Sequence, residues 1–290
     1  MEKILTSWWK RIIIFLLLLI LIYIPISNIK DLLYSPSGFY SFWFSDSLTL
    51  LFCCLIASAI IEGFRAERNF ATFGILITKQ IINDFIIAFS VVIIPFALLA
   101  VLFNLLELNT ITDYTSFSVF LWVAYQIFIL VAFEELIFRG IIFQALLDRF
   151  GIIVTLLITS LFFAVVHFGN PNYTLIPFLN TFLAGILLGI MYIQTKSLYL
   201  PIFYHFFWNY SQQVLLGSNL SGYQWDVCLL RTDWNSLPQW LYGGSYGIEG
   251  GLASTLILLI TIPIILKYAK TSPYISSKLL KREIFESFFQ

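Results

Sequence analysis

Long apolar runs dominate the chain, and short clusters of Gly, Pro, Asn, Asp and Ser punctuate most of the gaps between them. A helix that crosses a membrane needs about 20 such residues, because roughly 30 Å of hydrocarbon is covered at 1.5 Å per residue. Eight segments qualify: 11–27, 46–63, 80–103, 118–146, 151–169, 174–195, 198–217 and 249–267. Backbone polar groups find no water inside a bilayer and must bond within their own segment, so each run reads as helix. The pattern therefore predicts an all-α fold, a polytopic membrane bundle of about eight transmembrane helices. The first run follows Lys3, Lys10 and Arg11 as a signal peptide would. It lacks a small-x-small cleavage site and is too long, so it is expected to stay in the mature protein.

Composition agrees with the pattern. Of 290 residues, 60% are hydrophobic and 11% charged, against about a quarter charged in an ordinary soluble domain. Sixteen basic and sixteen acidic residues cancel, so no basic patch points to a nucleic acid. Cys53, Cys54 and Cys228 supply neither a disulfide framework nor a zinc spacing.

Charge position says more than charge sum. Cytoplasmic loops of membrane proteins carry the excess of Lys and Arg. With the N-terminus inside, the cytoplasmic set is Lys3, Lys10, Arg11, Arg65, Arg68, Lys79, Arg149, Lys196, Lys267, Lys270, Lys278, Lys281 and Arg282; the other side holds only Lys30 and Arg231. The expectation is a multi-pass protein of the cell membrane with both termini cytoplasmic, forming one integral-membrane domain over 1–290. The longest polar gap, about 218–247, carries Tyr223, Trp225, Trp234, Trp240 and Tyr242, rings that favour the headgroup level, so it is expected to lie on the outer interface.

Ionisable groups inside a span cost roughly 2.5 to 3.5 kcal/mol each and default to a functional reading unless they pair. The candidates are few: Asp84 near the start of the third span, Glu134, Glu135 and Arg139 in the fourth, His167 in the fifth, and His205 with Asn209 in the seventh. Glu135 and Arg139 stand four apart on one helical face with the acid first, the favourable order, so Glu135 is expected to make Arg139 tolerable. Glu134 lies about 100 degrees round the helix, with no countercharge on its own element, and is available as a general base. The plainer reading is a Glu-Glu-Arg cluster that welds helices together. Phe163 and His167, and likewise His205 and Asn209, are also four apart, so each pair faces one way.

If the fourth and fifth spans form an antiparallel hairpin, facing residues have position numbers of constant sum. Positions 134 and 167 then imply a midpoint at Phe150-Gly151, where Asp148, Arg149 and Gly151 mark a turn. Glu134 and His167 are thus expected at similar depth, around one water. Glu134 would take its proton while His167 orients it or stabilises the developing oxyanion, with His205 and Asn209 as further donors. His167 also lies just before Gly169-Asn170-Pro171-Asn172, close to the outer end of its span. Phe133, Phe138, Phe163, Phe206, Phe207 and Trp208 are candidate walls of an apolar pocket that opens laterally or toward the cytoplasm, most of them as filler.

At these residues the chain resembles the CPBP family, the CAAX proteases and bacteriocin-processing enzymes also called the Abi family. Its three patterns occur in family order on separate spans, as Glu134-Glu135 with Arg139, Phe163 with His167, and His205 with Asn209. The resemblance covers about 134–209, within a family-like core of about 118–217. It implies a glutamic intramembrane endopeptidase of eight helices, with Glu134 as general base toward water and His167 as its partner. It implies His205 and Asn209 as oxyanion stabilisers; Glu135, Arg139 and Phe163 are read as supporting residues.

No cofactor is expected. Two Glu and two His could hold zinc, but the His-Glu-x-x-His helix is absent and His167 and His205 are 38 residues apart, so zinc is the weaker reading. Gly243-Gly244-Ser245-Tyr246-Gly247 matches Gly-x-Ser-x-Gly without the strand-turn-helix context that a serine nucleophile requires. Two other classes stand beside the enzyme: a bacteriocin-immunity or binding protein that keeps the pocket without catalysis, and a proton-coupled transporter in which the same residues form a relay. The partners implied are a peptide or protein substrate at the membrane, including prenylated ones, and membrane lipid.

Overall fold

The computed structural model describes residues 7–33, 39–64, 74–75, 77–111, 117–225 and 227–269. All eight apolar runs are helical. In chain order they form α1 (Trp8–Leu33), α2 (Phe39–Gly63), α3 (Gln80–Leu105), α4 (Phe117–Ile137), α5 (Phe143–Val165), α6 (Leu175–Thr195), α7 (Tyr199–Tyr210) and, after a four-residue α8 (Gln239–Tyr242), α9 (Leu252–Tyr268). A π-helical segment, Phe138–Ile142, joins α4 to α5, and a second, Ser211–Leu215, extends α7. Among the described residues, five stretches are long and apolar enough to cross a membrane: Trp8–Leu32, Asp46–Gly63, Gln80–Leu105, Phe117–Gly169 and Leu175–Thr195; α9 is shorter. Large apolar side chains such as Leu21 and Leu98 are 66% and 64% exposed, which identifies those faces as lipid-covered. The molecule is an all-α membrane bundle. Of the basic positions assigned to one side, Lys3, Arg65, Arg68, Lys270, Lys278, Lys281 and Arg282 lie outside the described residues.

The stretch Phe117–Gly169 is two arms, not one rod. The rings of Phe138 and Phe163 are 5.2 Å apart, whereas a continuous helix would separate residues 25 apart by roughly 37 Å. The chain turns at Gly151, whose φ of +74° is cheap only for glycine. This is the Phe150-Gly151 turn that the constant-sum argument requires. Around it, Arg11 of α1 donates to Asp148 at 2.9 Å, and the rings of Trp8 and Phe150 meet at 4.9 Å.

The second arm packs on α6 through small residues, since without a hydrophobic drive in lipid close backbone approach supplies the packing. A Cβ on Gly185 would fall 2.8 Å from Ser160 Cα, so the helices touch there. On the other flank α3 and α7 interlock through aromatic edges, Phe89 against Phe207 at 5.4 Å and Phe96 against Trp208 at 5.3 Å.

The polar gap after α7 is tied to the bundle as a cap. Its strand β2 (Leu230–Thr232) pairs antiparallel with β1 (Asn109–Ile111), Arg231 opposite Thr110. Asn180 of α6 donates to the backbone oxygens of Glu249 and Gly251 at 2.7 and 2.9 Å and so fastens the cap's end to the bundle. Replacing Gly185 by valine forces α5 and α6 apart. Thermal unfolding in detergent is expected to show a loss of about 1–3 kcal/mol. Gly63→Ala, where a Cβ meets nothing within 4 Å, is expected to stay within about 0.5 kcal/mol of wild type.

Candidate active site

The site is assembled by α4, α5 and α7. Arg139, 1% exposed, reaches back one turn and donates from Nη1 to Glu135 Oε1 at 3.1 Å. Its Nη2 donates to the carbonyl of Gly185 at 3.2 Å, within reach because glycine brings α6 close. The guanidinium lies 4.8 Å from the centroid of the Phe163 ring, a cation–π contact made away from water. The i,i+4 pairing read from the sequence is present.

The same Glu135 Oε1 also meets His205 Nδ1 at 2.9 Å. A carboxylate oxygen bridged in this way fixes the imidazole ring and puts the Nδ1 proton toward Glu135. His205 Nε2 is then directed at the neighbouring acid, 3.8 Å from Glu134 Oε2. That is too long for a hydrogen bond and leaves the carboxylate free to address a water. The partner that Glu134 lacks on its own helix is thus supplied by α7.

His167 sits past the end of α5 on the 3-10 turn Val166–Gly169. Its Nδ1 lies 2.6 Å from the carbonyl of Phe163. A carbonyl only accepts, which assigns the proton to Nδ1 and leaves the Nε2 lone pair on the other side of the ring. Glu134 and His167 are seventeen and sixteen residues from Gly151, roughly 25 Å of helix each, and both line one cavity of about 430 Å³. His205 and Asn209 line it too. Asn209 is buried, and its side-chain oxygen has no hydrogen-bond partner. Phe163 is the hub, with its ring 4.9 Å from that of His167 and 6.0 Å from that of His205.

Phe133 and Phe138 line the cavity. Phe163 and Trp208 border a smaller one of about 50 Å³, which also touches both histidines, while Phe207 is spent on α3. Gln126 stands eight residues before Glu134 and lines the same cavity; a polar residue two turns away in an apolar helix was the signal for it. Ser47 of α2, Ser221, Tyr223 and Trp225 of the cap, and Asn170 line it as well, and no periodicity announces them. Asp84 is buried on α3 and lines neither cavity. Among the described residues, no group of three or more His, Cys, Asp or Glu side chains is arranged to hold a metal ion.

Residues 115–211 match the family model described as Type II CAAX prenyl endopeptidase Rce1-like. The match spans about a third of the chain and contains every one of the candidate residues on α4, α5 and α7. It supports the CPBP family of CAAX-type proteases, membrane endopeptidases, as the family of this chain. No curated protein and no solved structure matches it.

The buried pair is open to a double-mutant cycle. Arg139→Met alone, which strands Glu135, is expected to cost about 3–5 kcal/mol in detergent unfolding. Combined with Glu135→Gln it should cost less than the two single changes summed.

Proposed function

We propose that the protein hydrolyses peptide bonds of membrane-associated substrates by direct attack of a water activated by Glu134. The observation that carries this reading is the convergence of Glu134, His167, His205 and Asn209 on a single cavity whose lining is largely apolar. Its volume falls within the roughly 300–1,000 Å³ of ligand pockets. Leu130, Phe133, Ile137, Phe138 and Val166 exclude water from the substrate's apolar residues or from a lipid chain, and prenylated tails belong to the substrates this reading covers.

Glu134 takes a proton from water as the oxygen adds to the carbonyl carbon. The tetrahedral intermediate carries its charge on the former carbonyl oxygen. Collapse breaks the C–N bond, and Glu134 returns the proton to the leaving amine. His167 Nε2 accepts a hydrogen bond from the water and orients it. Asn209 offers its carboxamide N–H to the oxyanion. A proton on His205 Nε2 balances the second carboxylate, as Arg139 balances the first, and gives the oxyanion another donor. No covalent acyl-enzyme and no metal enter the sequence.

Glu134→Gln is nearly isosteric and should lower cleavage of a quenched membrane-peptide library, prenylated tails included, by about 10²- to 10⁴-fold with unfolding unchanged. Asn209→Ala should lower it by about 10²- to 10³-fold. Wild-type activity should survive chelator; its abolition would move the mechanism to a metal. A folded wild type that cleaves nothing would favour the immunity or binding class.

The orientation proposed places both termini in the cytoplasm. Arg149 and Lys196 are then on the inner face, and the cap, with the catalytic cavity beneath it, is in the outer half. In a Cys228→Ala background, a membrane-impermeant maleimide should label Ser245→Cys in intact cells and Arg149→Cys only after permeabilisation. The reverse pattern would invert the topology.

A further inference from the structure

A second cavity, of about 320 Å³, lies within the cap. Its walls differ in kind from those of the first. Asn219, Gln224, Arg231, Asn235, Gln239 and Ser245 contribute to them, and Arg231 is the one charged side chain among the described residues that line it.

Residues 219–225 are the partition between the two spaces. Leu220, Ser221 and Tyr223 line the catalytic cavity, Asn219 and Gln224 line the polar one, and Trp225 lines both. Trp225 is thus a wall common to an apolar cavity and to a polar one that carries Arg231.

The walls are built rather than loose. Trp234 Nε1 donates to the carbonyl of Gly217 at 3.1 Å and Thr232 Oγ1 to that of Leu216 at 2.8 Å. Asn219 Nδ2 donates to the Ser245 carbonyl at 2.9 Å. Arg231 itself is fixed in register on β2 opposite Thr110. Asp233, the nearest acid in sequence, accepts from the backbone N–H of Asn235 and the hydroxyl of Ser236 in its own turn and does not line the cavity.

We infer that this polar cavity holds the hydrophilic flank of the substrate and that Arg231 selects a carboxylate there, while the adjoining apolar segment lies beside Glu134 and His167. The guanidinium fork matches a carboxylate in two parallel hydrogen bonds. An acidic side chain and a free C-terminus present that same group. The inference rests on the endopeptidase reading for its meaning and on binding alone for its test.

The test is fluorescence anisotropy of labelled peptides with Glu134→Gln protein in detergent micelles. Three peptides share one apolar segment. The first has an Asp-containing flank and an amidated end, the second an Asn-containing flank and a free C-terminal carboxylate, and the third an Asn-containing flank and an amidated end. One carboxylate peptide should bind about three- to tenfold more tightly than the neutral one, and which one does so names the source of the carboxylate. The preference should shrink as salt is raised. Adding Arg231→Ala should erase the preference and leave the neutral peptide's affinity unchanged, and Arg231→Lys should restore part of it. Equal binding of all three peptides, no binding of any, or a preference that survives Arg231→Ala overturns the inference. If the preference holds while wild type cleaves none of the peptides, the endopeptidase reading falls and the carboxylate site stands.

Discussion

One oxygen atom organises the centre of this molecule. Oε1 of Glu135 receives Arg139 from one side and His205 from the other, inside a bundle where the guanidinium, 1% exposed, has no water to fall back on. Burying a charge is repaid only as far as geometry and hydrogen bonds allow: Arg139 Nη1 and Nη2 and Glu135 Oε1 are bonded, whereas Arg139 Nε and Glu135 Oε2 are buried with no hydrogen-bond partner. Gly185 gives up a side chain so that its carbonyl can reach the guanidinium, and Phe163 offers it a ring face. Four elements, α4, α5, α6 and α7, therefore meet at one ion cluster, and their mutual positions are set by it.

The chemistry proposed for Glu134 follows from its neighbour's commitment. Two adjacent acids on a helix point in directions about 100 degrees apart. The first faces the cavity and the second faces the cluster. By holding His205 at Nδ1, Glu135 turns the remaining nitrogen toward Glu134. The structural cluster and the carboxylate proposed as reactive are thus neighbours in one arrangement, and the welding reading of the Glu-Glu-Arg motif fits the pair Glu135 and Arg139.

Much of this was legible in the sequence. Apolar runs delimit the helices because hydrocarbon permits no other backbone. The four-residue spacings bring Glu135 to Arg139 and Phe163 to His167, and the constant sum across Phe150-Gly151 brings Glu134 and His167 to one cavity. What stayed hidden depends on contacts between distant elements. Nothing in the spacing of α7 says that His205 reaches across to Glu135, because interhelical rotation leaves no periodic trace. Tyr223 and Trp225 look like headgroup anchors because an amphipathic ring suits a lipid interface and the lining of a half-polar cavity equally. Arg231 reads as a stray outer charge until β2 and the loops around it enclose a space.

The two histidines differ in how they are held. His205 is in mid-helix, with a buried carboxylate on its ring. His167 rides a single terminal turn of 3-10 helix and is tied by one carbonyl four residues back. The two rings therefore rest on unlike supports, one on a buried carboxylate and one on the last turn of a helix, so a change in where α5 ends would be felt at His167 before it reached His205.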